Sequence, residues 1–140
     1  MGYDFHITRA ESWIDSEATP IRRDEWFEFA AADPELSVDE TNASTDPTMM
    51  IWSGTDENPE PWIAWENGRL YSKNAERALR IKMHSIAMHF GARLVGDDDE
   101  EYNAAGAQIG GSDTKSSDWK PDPLTRFRYW LFRMRRNLFR

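Results

Sequence analysis

The chain has 140 residues and no cysteine, which excludes disulfides, thiolate nucleophiles and Cys-ligated metal centres. Its formal charge of −8 is unevenly spread: residues 119–140 hold seven Lys and Arg against one carboxylate, net +6, leaving ten against twenty-four, net −14, in residues 1–118. Hydrophobic residues make up only 39%, but seven Trp, seven Phe and four Tyr supply large buried areas and argue for a folded domain over a disordered one.

The first ten residues lack a basic stretch followed by an apolar one, so no signal peptide is expected. No run of apolar residues is long enough to span a bilayer. A cytoplasmic protein is expected, with peripheral membrane contact as the variant.

Residues 3–8 alternate, with Tyr3, Phe5 and Ile7 on one side and Asp4, His6 and Thr8 on the other, the pattern of a half-buried strand. Thr19-Pro20 opens a helical stretch whose buried stripe is Trp26, Phe29 and Ala30. Asp33-Pro34 ends it, because a residue before proline is pushed out of helical geometry. Residues 35–47 are polar and turn-rich and read as a loop, residues 48–53 as a short strand, and residues 54–61 as a second loop.

Residues 62–72 carry the clearest local signal, Asn67-Gly68 between two strand-like runs. Both central residues of a type I′ turn need positive φ, which this dipeptide accepts. The turn predicts Glu66 opposite Arg69, Trp65 opposite Leu70 and Ala64 opposite Tyr71. One face then holds Ile63, Trp65 and Leu70; the other holds Trp62, Ala64, Tyr71 and the Glu66–Arg69 charge pair.

Asn74 reads as the cap of a helix over residues 75–90, ended by Gly91, with Leu79, Met83, Ile86, Ala87 and Phe90 as its core stripe. Ile81 and Met88 fall on its far side. Residues 93–96 read as a last strand, followed by five acids, Asp97, Asp98, Asp99, Glu100 and Glu101. Residues 103–118 are small and polar and read as a flexible linker with a reach of roughly 20–25 Å.

Residues 124–139 follow Pro121 and Pro123 and have helical periodicity. Leu124, Phe127, Trp130, Leu131, Met134 and Leu138 share about 120° of arc, with Arg126, Arg133, Arg136 and Arg140 opposite. This basic amphipathic pattern suits a membrane surface, the acidic body itself or a symmetry mate, or a nucleic acid. The acidic body weighs against nucleic acid.

The expected fold class is α+β: a small antiparallel sheet in the order β-α-β-β-β-α-β with two helices on one face, plus a C-terminal basic amphipathic helix. Residues 1–102 form the acidic domain, 103–118 the linker and 119–140 the tail. Strand order is left open.

Signatures of catalysis or metal binding are weak. His84 and His89 are five apart, about 140° around a helix, and cannot share one ion. Asp97, Asp99 and Glu101 resemble the start of a calcium loop, but Tyr102 and Gln108 stand where the required Gly and bidentate Glu belong. The glycines of residues 106–112 lack the lysine of a phosphate loop. Ser53 and Ser112 have no neighbouring histidine, and nothing raises Glu57, Glu60 or Glu66 above the other carboxylates as an acid or base. Asp4, His6 and Arg9 form a polar set around the first strand, read as a solvated sheet face with an Asp4–His6 pairing and, alternatively, as the site of a small enzyme. No cofactor and no metal is expected.

The segments YDFHITRAESW, PIRRDEW…ADPEL, PWIAWENGRLYSKN and KMHSIAMHFGARLVGDDDEEY resemble a family of small uncharacterised bacterial proteins over residues 3–102. The resemblance implies a compact α+β domain and carries no activity. In size, acidity and character the body is also similar to immunity proteins paired with bacterial toxins, a similarity of character and not of motif.

The function expected is a non-enzymatic protein-binding module, in its most specific form an immunity protein that neutralises a toxin through its acidic surface. Asp97, Asp98, Asp99, Glu100 and Glu101 are expected to steer a basic partner, with Trp62 and Tyr71 supplying holding energy. The alternative is a peripheral membrane adaptor anchored by Arg126, Phe127, Trp130, Leu131, Arg133, Met134 and Arg136.

Overall fold

The computed structural model describes residues 3–56 and 60–109, all within one unit, Met1–Ile109. The elements in chain order are β1 (Asp4–Thr8), a 3-10 helix (Trp13–Ala18), α1 (Arg23–Ala32), β2 (Leu36–Val38), β3 (Met50–Trp52), β4 (Trp62–Glu66), β5 (Arg69–Lys73), α2 (Arg77–Phe90) and β6 (Arg93–Gly96). The tail expected over residues 124–139 lies outside the described residues.

Asn67 and Gly68 take φ of 49° and 86°, and the hairpin they close has the expected register, Glu66↔Arg69, Trp65↔Leu70 and Ala64↔Tyr71. From this hairpin the sheet grows both ways into one antiparallel six-stranded sheet, β2-β3-β4-β5-β1-β6. The register aligns Leu36 with Trp52, Met50 with Ile63, Trp65 with Leu70, and Ile7 with both Leu70 and Leu94. Directly paired residues share a face, so these side chains form one apolar row across the strands.

That row joins a single core with Trp26 and Ala30 of α1 and Leu79, Met83, Ile86, Ala87 and Phe90 of α2. These α2 residues are the expected stripe, while Ile81 and Met88 are exposed. Phe29 meets Phe90 at 5.4 Å between ring centroids, closing the seam between the helices. Lys82 of α2 bonds Asp33 and Glu35 just beyond α1, each at 2.7 Å, and so ties the two helices electrostatically.

Four local expectations are corrected. The polar residues 35–47 contain strand β2, which pairs with β3 through main-chain bonds that need no apolar alternation. The 3-10 helix precedes Pro20, and α1 begins only at Arg23, where the Glu25 carboxylate accepts from the Arg22 amide at 2.7 Å. Asn74 does not cap α2: it has φ of 51°, its side chain accepts from the Tyr3 amide, and Glu76 occupies the cap position. Residues 103–109 fold back on the body, where Arg80 and Arg77 donate to the carbonyls of Gly106 and Ala105 and the Ile109 amide reaches Glu101.

The second face of β1 is also not solvated. His6 and Thr8 are 1% and 0% exposed, because the 3-10 helix lies over them. The Trp13 indole stacks on the His6 ring at 4.1 Å and 2°, and Thr8 shares a 2.7 Å hydroxyl bond with Ser16. A period of two cannot distinguish water from a thin cover of later chain.

Candidate protein-binding surface

His6 sits at the centre of the covered face. Its Nε2 lies 2.8 Å from Asp97 Oδ1, and its Nδ1 accepts from Arg69 Nε at 3.0 Å. Arg69 can only donate, so Nδ1 carries the lone pair and Nε2 the proton. Burial pushes the His6 pKa down, and the neighbouring Arg69 guanidinium pushes the same way. The ring is therefore neutral, with both nitrogens committed.

Asp4, His6 and Asp97 place one ligand atom each within 4.8 Å of one another. A cation at Nε2 would need the ring proton moved to Nδ1, where it would face the Arg69 donor, so this donor set suits a structural hydrogen-bond chain and not a metal. The expected Asp4–His6 pairing is replaced by His6–Asp97. Arg9 stands apart, bound to Glu25 by two 3.0 Å bonds and to the carbonyls of Pro20 and Phe90.

The acidic run is mostly turned inward. Asp97 also accepts from the Asp4 amide, and Asp99 accepts from Ser12 Oγ at 2.8 Å and the Trp13 amide at 3.0 Å. Glu100 accepts from the hydroxyls of Tyr3 and Tyr102, and Glu101 pairs with Arg93. Burial pushes the Asp97 carboxyl up, but the Asp4 amide and His6 outweigh it and hold the carboxyl below its ordinary value. Burial and the Glu100 carboxylate raise the Tyr3 hydroxyl and push Tyr102 up to about 12. Only the Asp98 carboxylate points to no partner among the described residues. Asp97, Asp99 and Glu100 thus pin the 3-10 helix and the first strand to the end of β6, and of the run expected to steer a partner only Asp98 is exposed.

The basic residues are spent in the same way. Arg9, Arg22, Arg69, Lys82 and Arg93 pair with carboxylates, Arg77 and Arg80 with carbonyls, and Arg23 lies over the Phe27 ring. Lys73 is the exception among the described residues. On the acidic side, Asp15, Glu17, Glu28, Glu40, Asp56, Glu60, Glu76 and Asp98 are exposed and have no basic partner among the described residues.

Trp62 and Tyr71 do lie together, as expected for one face, with ring centroids 5.4 Å apart at 83°. Four of the five described tryptophans donate their indole N–H internally: Trp13 to Asp97 O, Trp26 to Thr48 O, Trp52 to Glu35 and Trp65 to Ile21 O. Trp62 has no such acceptor among the described residues, nor does the Tyr71 hydroxyl have a partner there. Burial, then Glu66, raises the Tyr71 hydroxyl pKa. Trp62 lines a groove of roughly 780 Å³ together with Asp39, Ile51, Glu60, Lys73 and Glu76. No local pattern points to this groove, because its wall joins four separate stretches of chain. Arg126, Phe127, Trp130, Leu131, Arg133, Met134 and Arg136, the expected anchor, lie outside the described residues.

Set beside known proteins, the chain matches no family model, no curated protein and no solved structure. No helix among the described residues is long and apolar enough to cross a membrane.

Proposed function

We propose that this protein is a non-enzymatic binding module for a cationic protein partner, with neutralisation of a basic toxin as its most specific form. One observation carries the reading: among the described residues every cation but Lys73 is engaged by a carboxylate, a carbonyl or a ring, while eight exposed carboxylates are left without basic partners. Such a surface draws positively charged partners from a distance and disfavours polyanions. His6, with both nitrogens engaged, offers no base to a substrate on the covered face.

Carbodiimide cross-linking in cell extract tests this, since the reagent joins a carboxylate to a lysine amine only when the two are in contact. A basic polypeptide joined through the exposed carboxylates is expected. Recovery of acidic proteins alone, or of none, would reject the reading.

A second reading, attachment to an anionic membrane surface, is favoured by the pattern of residues 119–140, with arginines opposite aromatic and aliphatic residues. Flotation with anionic vesicles that is unchanged on removal of these residues would dismiss it.

A further inference from the structure

We infer that the groove lined by Trp62 receives an extended segment of the cationic partner, with a lysine or arginine side chain lodged in it; this rests on the binding reading above. The groove's charged lining is Asp39, Glu60 and Glu76 against Lys73 alone. Its roughly 780 Å³ falls in the range that holds a guest of several residues' side chains. Asp39 is fixed by bonds from the Thr41 amide and Asn42 Nδ2, so it offers a positioned carboxylate. Glu60 and Glu76 are exposed and without a basic partner among the described residues.

The apolar lining suits the rest of such a side chain. Met49 and Ile51, both half-buried, give a surface for the methylene stem, whose charged head remains among the acids. Trp62, steadied by its edge contact with Tyr71, presents an aromatic face to the cation.

The indole N–H identifies the guest further. Trp62 alone among the described tryptophans lacks an acceptor, and a peptide carbonyl supplies one. A polyamine has the charge but no acceptor, and a nucleic acid has acceptors but the wrong charge. A basic polypeptide has both.

The test titrates the full 140-residue chain with a fluorescein-labelled octalysine peptide. Glu60→Gln with Glu76→Gln is expected to weaken binding roughly three- to tenfold. Trp62→Leu, which keeps the site apolar but removes the ring and its N–H, is expected to weaken it about fivefold. Lys73→Ala removes the one competing cation and is expected to tighten binding about two- to threefold. Asp15→Asn with Glu17→Gln removes the same charge from the 3-10 helix and is expected to change affinity less than about twofold.

If the two double variants weaken binding equally and Lys73→Ala changes nothing, the groove is not the site, although the acidic surface remains one. If the unaltered chain does not bind the peptide, the binding reading itself fails. Glu60, Glu76 and Lys73 are exposed, so their variants decide between these outcomes even where Trp62→Leu perturbs folding.

Discussion

At the scale of single residues, the carboxylates that look most available are the ones most used. Asp97 and Asp99 each accept two hydrogen bonds from β1 or the segment leading into the 3-10 helix, whereas Asp98 accepts none among the described residues. Asp97→Asn and Asp99→Asn are each expected to lower unfolding free energy by about 1–3 kcal/mol, because charge-assisted bonds are lost. Asp98→Asn is expected to stay within about 0.5 kcal/mol, as ordinary surface changes do. Urea titration of the three variants reads the contrast, and equal behaviour would show the run to be solvated throughout. No sequence pattern distinguishes these three neighbours; only the chain that folds over them does.

His6 gives the same surroundings a pH signature. Its folded pKa lies below the unfolded value of 6.5, so the unfolded chain binds more protons as pH falls. Its contribution is complete above about 6.5 and is lost as pH drops below that value. Asp97, Asp33, Glu25 and Glu35 are held below their ordinary values, so their contribution is lost later, as pH falls through about 4. The urea midpoint is therefore expected to decline in two stages. His6→Gln keeps a donor for Asp97 but cannot titrate, and should remove the upper stage alone. An upper stage that persists in this variant would show that His6 is not its source.

Among the elements, the Asn67-Gly68 hairpin was legible because one dipeptide dictates both turn and register. Its second consequence was not. A Cβ on Gly68 would come within 2.8 Å of the Ser16 carbonyl oxygen and 2.9 Å of Pro20 Cβ, so the turn also receives the end of the 3-10 helix. Gly68→Ala combines positive φ with that collision and is expected to cost about 2–4 kcal/mol by urea denaturation. A cost under about 1 kcal/mol would mean that the 3-10 helix is loosely held.

The stripe of α2 was equally clear, since five core residues at helical spacing leave Ile81 and Met88 outside. β2 and the 3-10 helix were hidden for a shared reason. Both are short, and both are fixed by partners outside themselves, β3 for one and the His6 face with Asp97 and Asp99 for the other. Neither element has a periodicity of its own long enough to register.

For the whole molecule, composition revealed the charge but not its distribution in space. The −14 of residues 1–118 did not show that each described arginine is engaged by a carboxylate, a carbonyl or a ring, nor that acids gather around an unpaired tryptophan. That division, cations inside the bonding network and carboxylates outside, is a property of the fold. In the proposed binding role it would also separate stability from recognition: Asp97, Asp99, Glu100 and Glu101 are bonded within the fold, while Glu60 and Glu76 are exposed and the Trp62 indole N–H has no acceptor among the described residues.

The salt dependence of peptide binding probes that division most directly. Affinity of the full chain for octalysine should fall at least about tenfold between roughly 0.05 and 0.5 M salt, as screening shortens the reach of exposed charge. Octaglutamate should not bind at either concentration. Octalysine affinity that is indifferent to salt, or equal affinity for the two peptides, would show that the outward carboxylates do not govern what this surface binds.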